Sequence, residues 1–398
     1  MHARSRQAVG HRKIESEVLE NESSSSKFGV KGACVLSESL RHFHPTTGFP
    51  PDLLHDLLEG AVPAELALCL KEMIRLKYFS FEYLNHRITS FPYQHSDKVN
   101  RPQALPKSFL VRATIGGNAH ENATLLRLLP FLIGSKVPEG DLFWAVLMEL
   151  KDVVELALCP SFTDGLLDYF SRKISDHRQA LRLAFPDFRL RPKHHYLEHY
   201  PEFIKRFGPL VNVWTMRFEA KHRFFKRAVR DAQNFKNVLK TLANKHQYMM
   251  AYHVSAPSYF KPEMQATRID SVLVSGLPEI AQTFIKEQTE SDRVYHASKV
   301  IIDGIEYAAG MFVSFGSDGG LPTFGEINDI YVVNSSVYFL LLKYISWFTE
   351  HLSSYELTSP QPLAVHQQSD FNDPTPLFAY KTNGILLLTT KKFIPIKE

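Results

Sequence analysis

Asp52, His55, Asp56 and Glu59 lie within the run Pro51-Asp-Leu-Leu-His-Asp-Leu-Leu-Glu-Gly60. On a helix, residues three and four apart are neighbours, so these four side chains fall on one face. Leu53, Leu54, Leu57 and Leu58 take the other side. Like charges at i,i+4, such as Asp52 and Asp56, repel unless a divalent cation or a basic partner compensates them. The same letters also describe an amphipathic helix with a solvated polar face and an acid near its N-terminus, where the helix dipole favours one.

Three more segments carry groups able to do chemistry. In Pro192-Lys-His-His-Tyr-Leu-Glu-His-Tyr-Pro201, His195 and His199 are at i,i+4, a spacing that suits two metal-binding imidazoles or two histidines hydrogen-bonded between helices. H-E-x-x-H is absent. In Trp214–Arg230, the spacing sets Phe218, Phe225 and Val229 inward and Glu219, His222, Arg223, Lys226 and Arg230 on the opposite face. Such a face would position phosphates, with Glu219 holding a metal beside them or pairing with Arg223 or His222. In Thr114-Ile-Gly-Gly-Asn-Ala-His-Glu-Asn122, the glycines predict a tight turn and Asn118 an N-cap, with His120 and Glu121 available to a shared cleft. There is no phosphate loop, nucleophile elbow or C-x-x-C motif.

The elements that must position these groups change character along the chain. Residues 1–27 read as a basic, Ser-rich disordered tail. Apolar residues at three- and four-residue spacing predict helices at 61–77, 79–89, 122–133, 141–158, 162–185, 194–207, 216–231 and 234–253. Beyond about 270 the period becomes two. It predicts strands at 271–275, 299–302, 311–315, 329–333, 337–342, 377–380 and 385–390. Asp303-Gly304 and Asn383-Gly384 are hairpin turn signals, and Asn334-Ser335-Ser336 marks a third. The expected class is therefore α+β: a helical domain over 28–258, then a small antiparallel β domain over 259–398, partly closed as a barrel. Residues 357–376, rich in Pro, Gln and Ser, read as a mobile loop.

Charge is uneven. Of the 398 residues, 181–250 hold 15 Lys and Arg against 5 Asp and Glu, while the whole chain carries only +4. A local excess of ten on an otherwise acidic chain points to an anionic partner, DNA first. Three isolated cysteines argue against a disulfide framework, and no stretch is apolar enough to span a membrane. Without a secretory signal, a nuclear or cytoplasmic location is expected.

Seven motifs in order carry a resemblance. They are F-G-V-K-x-x-C-x-L (28–36), P-P-D-L-x-H-D-x-x-E-G (50–60), T-I-G-G-N-A-H-E-N (114–122) and L-L-R-L-L-P (125–130). P-K-H-H-x-L-E-H-Y-P (192–201), G-P-L-V-x-x-W-T-M-R-F-E-A-K-H (208–222) and K-N-V-x-x-x-L-A-x-K-H-Q (236–247) complete the series. The order resembles the C-terminal half of transposase-like proteins of animal genomes, similar in arrangement to the CACTA (En/Spm) superfamily. The resemblance implies a DDE-type enzyme with an RNase H-like core, whose acids hold two Mg²⁺ or Mn²⁺ ions for in-line displacement at phosphorus. By position Glu219 matches the last acid, and Asp52, His55 and Asp56 match the D-x-x-H-D stretch. Those four form the expected metal set, with Asp52, Asp56 and Glu219 catalytic and Glu59, His120, His195, His199 and His222 accessory.

An RNase H-like core needs its first acid on a central strand, and residues 1–49 offer neither that strand nor a suitable Asp. The upstream half is expected to be missing and the metal site incomplete. The resulting expectation is a transposase-derived protein that binds nucleic acid through Lys193, Arg217, Lys221, Arg223, Lys226, Arg227 and Arg230. The β domain would serve protein partners. The alternatives are an active metal-dependent nuclease or strand transferase, and a purely structural interaction module.

Overall fold

The computed structural model describes residues 34–43, 48–233, 235–256, 264–382 and 384–396. The tail at 1–27 and the expected boundary at 258/259 lie outside them. The chain is mixed helix and sheet, helical up to Ser255 and mainly β from Met264. Among the described residues no strand lies before Met264.

A π-helical segment at Leu54–Ala61 runs directly into α1 (Val62–Arg75). Pro63 supplies a local cause. In a continuous α-helix its ring would clash with the Glu59 carbonyl and leave that carbonyl without a donor, and one wider turn before the proline relieves both problems. Then come α2 (Phe81–Ser90), α3 (Ala119–Ile133), α4 (Leu142–Ala157), α5 (Asp164–Ala184), α6 (Pro192–Leu197) and α7 (Tyr200–Phe207). They bury one apolar core that includes Leu53, Leu57, Leu70, Phe109, Leu147, Phe170 and Tyr200. Asn118 caps α3 as expected, and Glu121 returns the bond in a capping box. Gly116 and Gly117, at φ 81° and 79°, make the turn before it.

The last two helices of this region, α8 (Met216–Ala232) and α9 (Val238–Ser255), are different. Ala228 is the one buried residue on α8, and α9 has none. Phe218, expected to face inward, is 66% exposed, because no element among the described residues covers that side of α8.

The C-terminal part is a ten-stranded antiparallel sheet. Its path runs β1 (Met264–Leu273), β2 (Arg293–Ile302), β5 (Leu321–Val333), β6 (Ser336–Thr349), β7 (Ser354–His366), β10 (Ile385–Leu388) and β9 (Ala379–Thr382). Off the path, β3 (Ile305–Ala308) pairs with β2, and β4 (Phe312–Asp318) joins β5 to β8 (Phe371–Leu377). Asp303-Gly304 and Asn334-Ser335 adopt positive φ at their hairpins, as two-residue turns require. Thr382 opposes Ile385 across the third hairpin; Asn383 lies outside the described residues. A helix at Glu279–Gln288 (α10), not expected from the sequence, buries Ala281 and Ile285 against the sheet.

Residues 357–376 are not a loop: most of them belong to β7 and β8. Their prolines suit a loop, yet the strands accommodate them. Pro360 sits at a register shift opposite Tyr344, and β7 pairs with β10 only over 355–357, so among the described residues no second strand pairs with its far half. Proline is tolerated at such edges and bulges.

The sheet and helices share a core. Leu128 and Phe131 of α3 are buried with Val300, Ile327, Phe339 and Tyr380. Three polar ties reinforce it. Arg127 pairs with Asp97 at 2.7 Å while the Tyr380 hydroxyl donates to the same carboxylate at 2.7 Å. Lys151 donates to the Ser353 carbonyl at 2.7 Å, and Trp144 Nε1 to the His351 carbonyl at 2.7 Å.

Candidate functional site

The π segment and the N-terminal end of α8, more than 150 residues apart in sequence, meet around one imidazole. His55 Nδ1 is hydrogen-bonded to Asp52, and His55 Nε2 lies 3.5 Å from Glu219 Oε1. Thr215, the residue before α8, fixes Asp52. Its backbone N–H donates to Oδ1 at 3.0 Å and its hydroxyl to Oδ2 at 2.6 Å. The same hydroxyl is 3.3 Å from His55 Nδ1. Asp52, Thr215, His55 and Glu219 thus form a continuous chain of polar contacts, half open to solvent.

The contacts set the charges. Partial burial alone would raise the Asp52 pKa, but the bonds from His55 and Thr215 outweigh it and hold the carboxyl below its ordinary value. The hydrogen bond to Asp52 raises the His55 pKa against a smaller desolvation effect, and the charges of Asp52, Glu59 and Glu219 add to it. His55 is therefore a histidine biased toward imidazolium. Glu59 is exposed one turn on.

Asp56 is turned away from this chain of contacts. It is buried, and desolvation, with a contribution from the Asp52 charge, pushes its pKa up to about 6; the nearby Lys193 ammonium works in the opposite direction. Lys193 reaches over the segment and donates to the His55 carbonyl at 2.7 Å. Gly60 makes room for it: a Cβ there would stand 2.6 Å from Lys193 Cδ and 2.8 Å from the His55 carbonyl oxygen. Of the expected nucleic-acid contacts, Lys193 is thus committed to the backbone of the π segment. Tyr200, fully buried, feels the charges of Asp56 and Asp52.

The remaining expected residues fall elsewhere. His195 and His199 face each other, Nε2 to Nε2, at 3.1 Å. His222 is exposed on α8. His120 is also exposed, and it lines a hollow with Asp97 and Lys391, whereas Glu121 is taken up by the α3 cap and lines a different one. Arg217, Arg223, Lys226, Arg227 and Arg230 are exposed along α8 and Lys221 is half-buried. Two of these make long surface pairs with Asp231, at 3.4 Å from Arg227 and 3.6 Å from Arg230.

The acids do not fit a two-metal centre as placed. One imidazole stands between Asp52 and Glu219, taking one carboxylate on each nitrogen, and Asp56 is buried beneath. Among the described residues no group of three or more His, Cys, Asp or Glu is arranged to hold a metal ion.

Sequence reasoning missed a second carboxylate–imidazole cluster. Glu65 on α1, with no exposed surface, is 2.7 Å from His177 Nε2 on α5 and 3.4 Å from His194 Nε2 on α6. Arg178 donates to the His194 carbonyl at 2.7 Å. Burial lowers the His194 pKa, partly countered by Glu65. The signal was present: Glu65 interrupts the apolar face made by Val62, Leu66 and Cys69. Thr215 was equally legible as a polar residue just before a basic helix.

No family model, curated protein or solved structure matches this chain. No helix among the described residues is long and apolar enough to cross a membrane.

Proposed function

We propose that the chain is a transposase-derived protein that binds nucleic acid, DNA first, through α8 and α9. The observation that carries this reading is α8 itself. Six Lys and Arg against two acids stand on a helix with one buried residue. Exposed Phe218, Phe235, Tyr248 and Tyr252 lie on the same hairpin or the turn between its helices. Cations neutralise phosphates and release counterions, while exposed aromatic rings can stack on bases. Lys240 and Lys245, with no acid on α9, extend the basic surface.

The ancestry part of the proposal rests on the seven ordered motifs. Two of them meet in space: D-L-x-H-D and W-T-M-R-F-E join through Asp52, His55, Thr215 and Glu219. An RNase H-like remnant is proposed on those motifs alone. The test is duplex DNA binding across a salt series. Binding should weaken linearly in log–log form, and the triple variant R223E/K226E/R227E should flatten that slope by about three. Salt-insensitive binding, or none, overturns the reading.

The convergence of Asp52, His55 and Glu219 at the head of the basic helix favours a second reading, phosphodiester cleavage. Since the acids as placed hold no pair of ions, this reading requires them to regroup when metal binds, and it predicts Mg²⁺- or Mn²⁺-dependent nicking that Glu219→Gln abolishes. Nicking that persists unchanged in that variant removes it.

A further inference from the structure

His120, Thr124 and Arg127, at i, i+4 and i+7 of α3, share one helix face. That face opens on a cavity of about 230 Å³ that Ser96, Asp97, Lys151, Glu155 and Lys391 also line. Arg127, only 8% exposed, gives Nη2 to Asp97 at 2.7 Å. Among the described residues its Nε and Nη1 make no hydrogen bond. The other oxygen of Asp97 takes the Tyr380 hydroxyl at 2.7 Å. Lys151 is spent on Glu155 at 2.6 Å and on the carbonyl and hydroxyl of Ser353.

Lys391 is the cation left over. It donates to the Ser96 hydroxyl at 2.8 Å and lies 4.6 Å over the Phe378 ring, and among the described residues no carboxylate pairs with it. Burial pushes its pKa down to about 8; Asp97 opposes this and Arg127 adds to it. Three cations and two carboxylates thus line one hollow, and each carboxylate already has its cation. What remains is a guanidinium edge and an ammonium, donors that match a carboxylate or a phosphate. The volume falls below the range of about 300–1,000 Å³ that suits drug-sized ligands, so the ligand is small.

We propose that this hollow binds a small oxyanion, a carboxylate or a phosphate, through Arg127 and Lys391. It lies where α3 and α4 meet the segment after β10. α8 and α9 do not line it, so it stands apart from the nucleic-acid reading.

Calorimetric titration of the full chain with inorganic phosphate and with succinate, at constant ionic strength in chloride, tests it. One equivalent should bind, and the tighter of the two anions names the class. Lys391→Gln should weaken that binding about 10–100-fold, the loss of one charge-assisted hydrogen bond, while Lys391→Arg largely keeps it. Footprinting reads the same site without a variant. The bound anion should slow acetylation of Lys391 and leave exposed Lys240 on α9 unaffected. The proposal is overturned if neither anion binds, if binding survives Lys391→Gln undiminished, or if acetylation of Lys391 ignores the anion.

Discussion

Two carboxylate–imidazole clusters, one begun by Asp52 and the other by Glu65, serve opposite purposes. At the surface, Asp52 and Glu219 flank His55, all three partly exposed. In the interior, Glu65 lies between His177 and His194 with no exposed surface on the acid. The chemistry is the same and the solvent is not. Exposed pairs contribute little to stability and remain free to gain or lose protons, whereas a buried pair becomes costly to break. The interior cluster ties α1, α5 and α6 together. The surface cluster joins the π segment to α8, the helix with almost nothing else to hold it.

The contrast breaks first at Glu65. Glu65→Ala should destabilise by about 3–5 kcal/mol in urea unfolding, because two buried imidazoles lose their partner. A loss near zero would mean that the interior cluster is not a structural tie. Asp56 gives the next effect, of opposite sign. Its folded pKa of about 6 lies above the ordinary carboxyl value, so folding binds a proton between them and stability falls as pH rises through that window. Asp56→Asn should therefore stabilise by about 1–3 kcal/mol at pH 7.5 and little at pH 4. Equal effects at both pH values would deny the burial penalty.

Thr215→Ala removes one hydroxyl bond to Asp52 and should cost about 0.5–1.5 kcal/mol. It should leave Glu65 and its histidines untouched in histidine NMR spectra. Asp52→Asn should lower the His55 pKa, read from ring-proton titration, with little change in melting temperature. His55 contributes stability below its unfolded pKa of about 6.5 and loses it as pH rises through its higher folded value. His194 runs the other way. Its folded pKa is depressed, so stability drops as pH falls below about 6.5. An H55A/H194A pair of pH–stability curves separates the two slopes.

Much of the framework was legible in the sequence, because period fixes element type when one face is buried. The helices from 61 to 185 and the hairpins at Asp303 and Asn334 are of that kind, whereas the single helix expected over 194–207 is two, α6 and α7, parted just before Pro201. The strand in 357–366 was illegible because Pro360 and Pro362 sit at the register shift of β7 against β6, where proline is tolerated. α10 was missed because it is only ten residues long and half polar. Of the site, the meeting of Asp52 and His55 with the α8 end followed from motif company. The burial of Asp56 did not. It depends on the wider pitch of the π segment, which shifts the face that a 3.6-residue wheel would draw. Phe218 was misplaced for a related reason: periodicity names an apolar face, but says nothing about whether any element covers it.

α3 has a consequence for inheritance. Leu125, Leu126 and Leu129 belong to the helical core, and Leu128 and Phe131 to the core of the sheet. One helix is thus the floor of one part and the ceiling of the other. A recombination event that parted the two would leave both with an uncovered oily face, prone to aggregation. The smallest stretch that a genome could copy, fuse or silence as a working piece therefore includes both cores, from the π segment to the last packed strand.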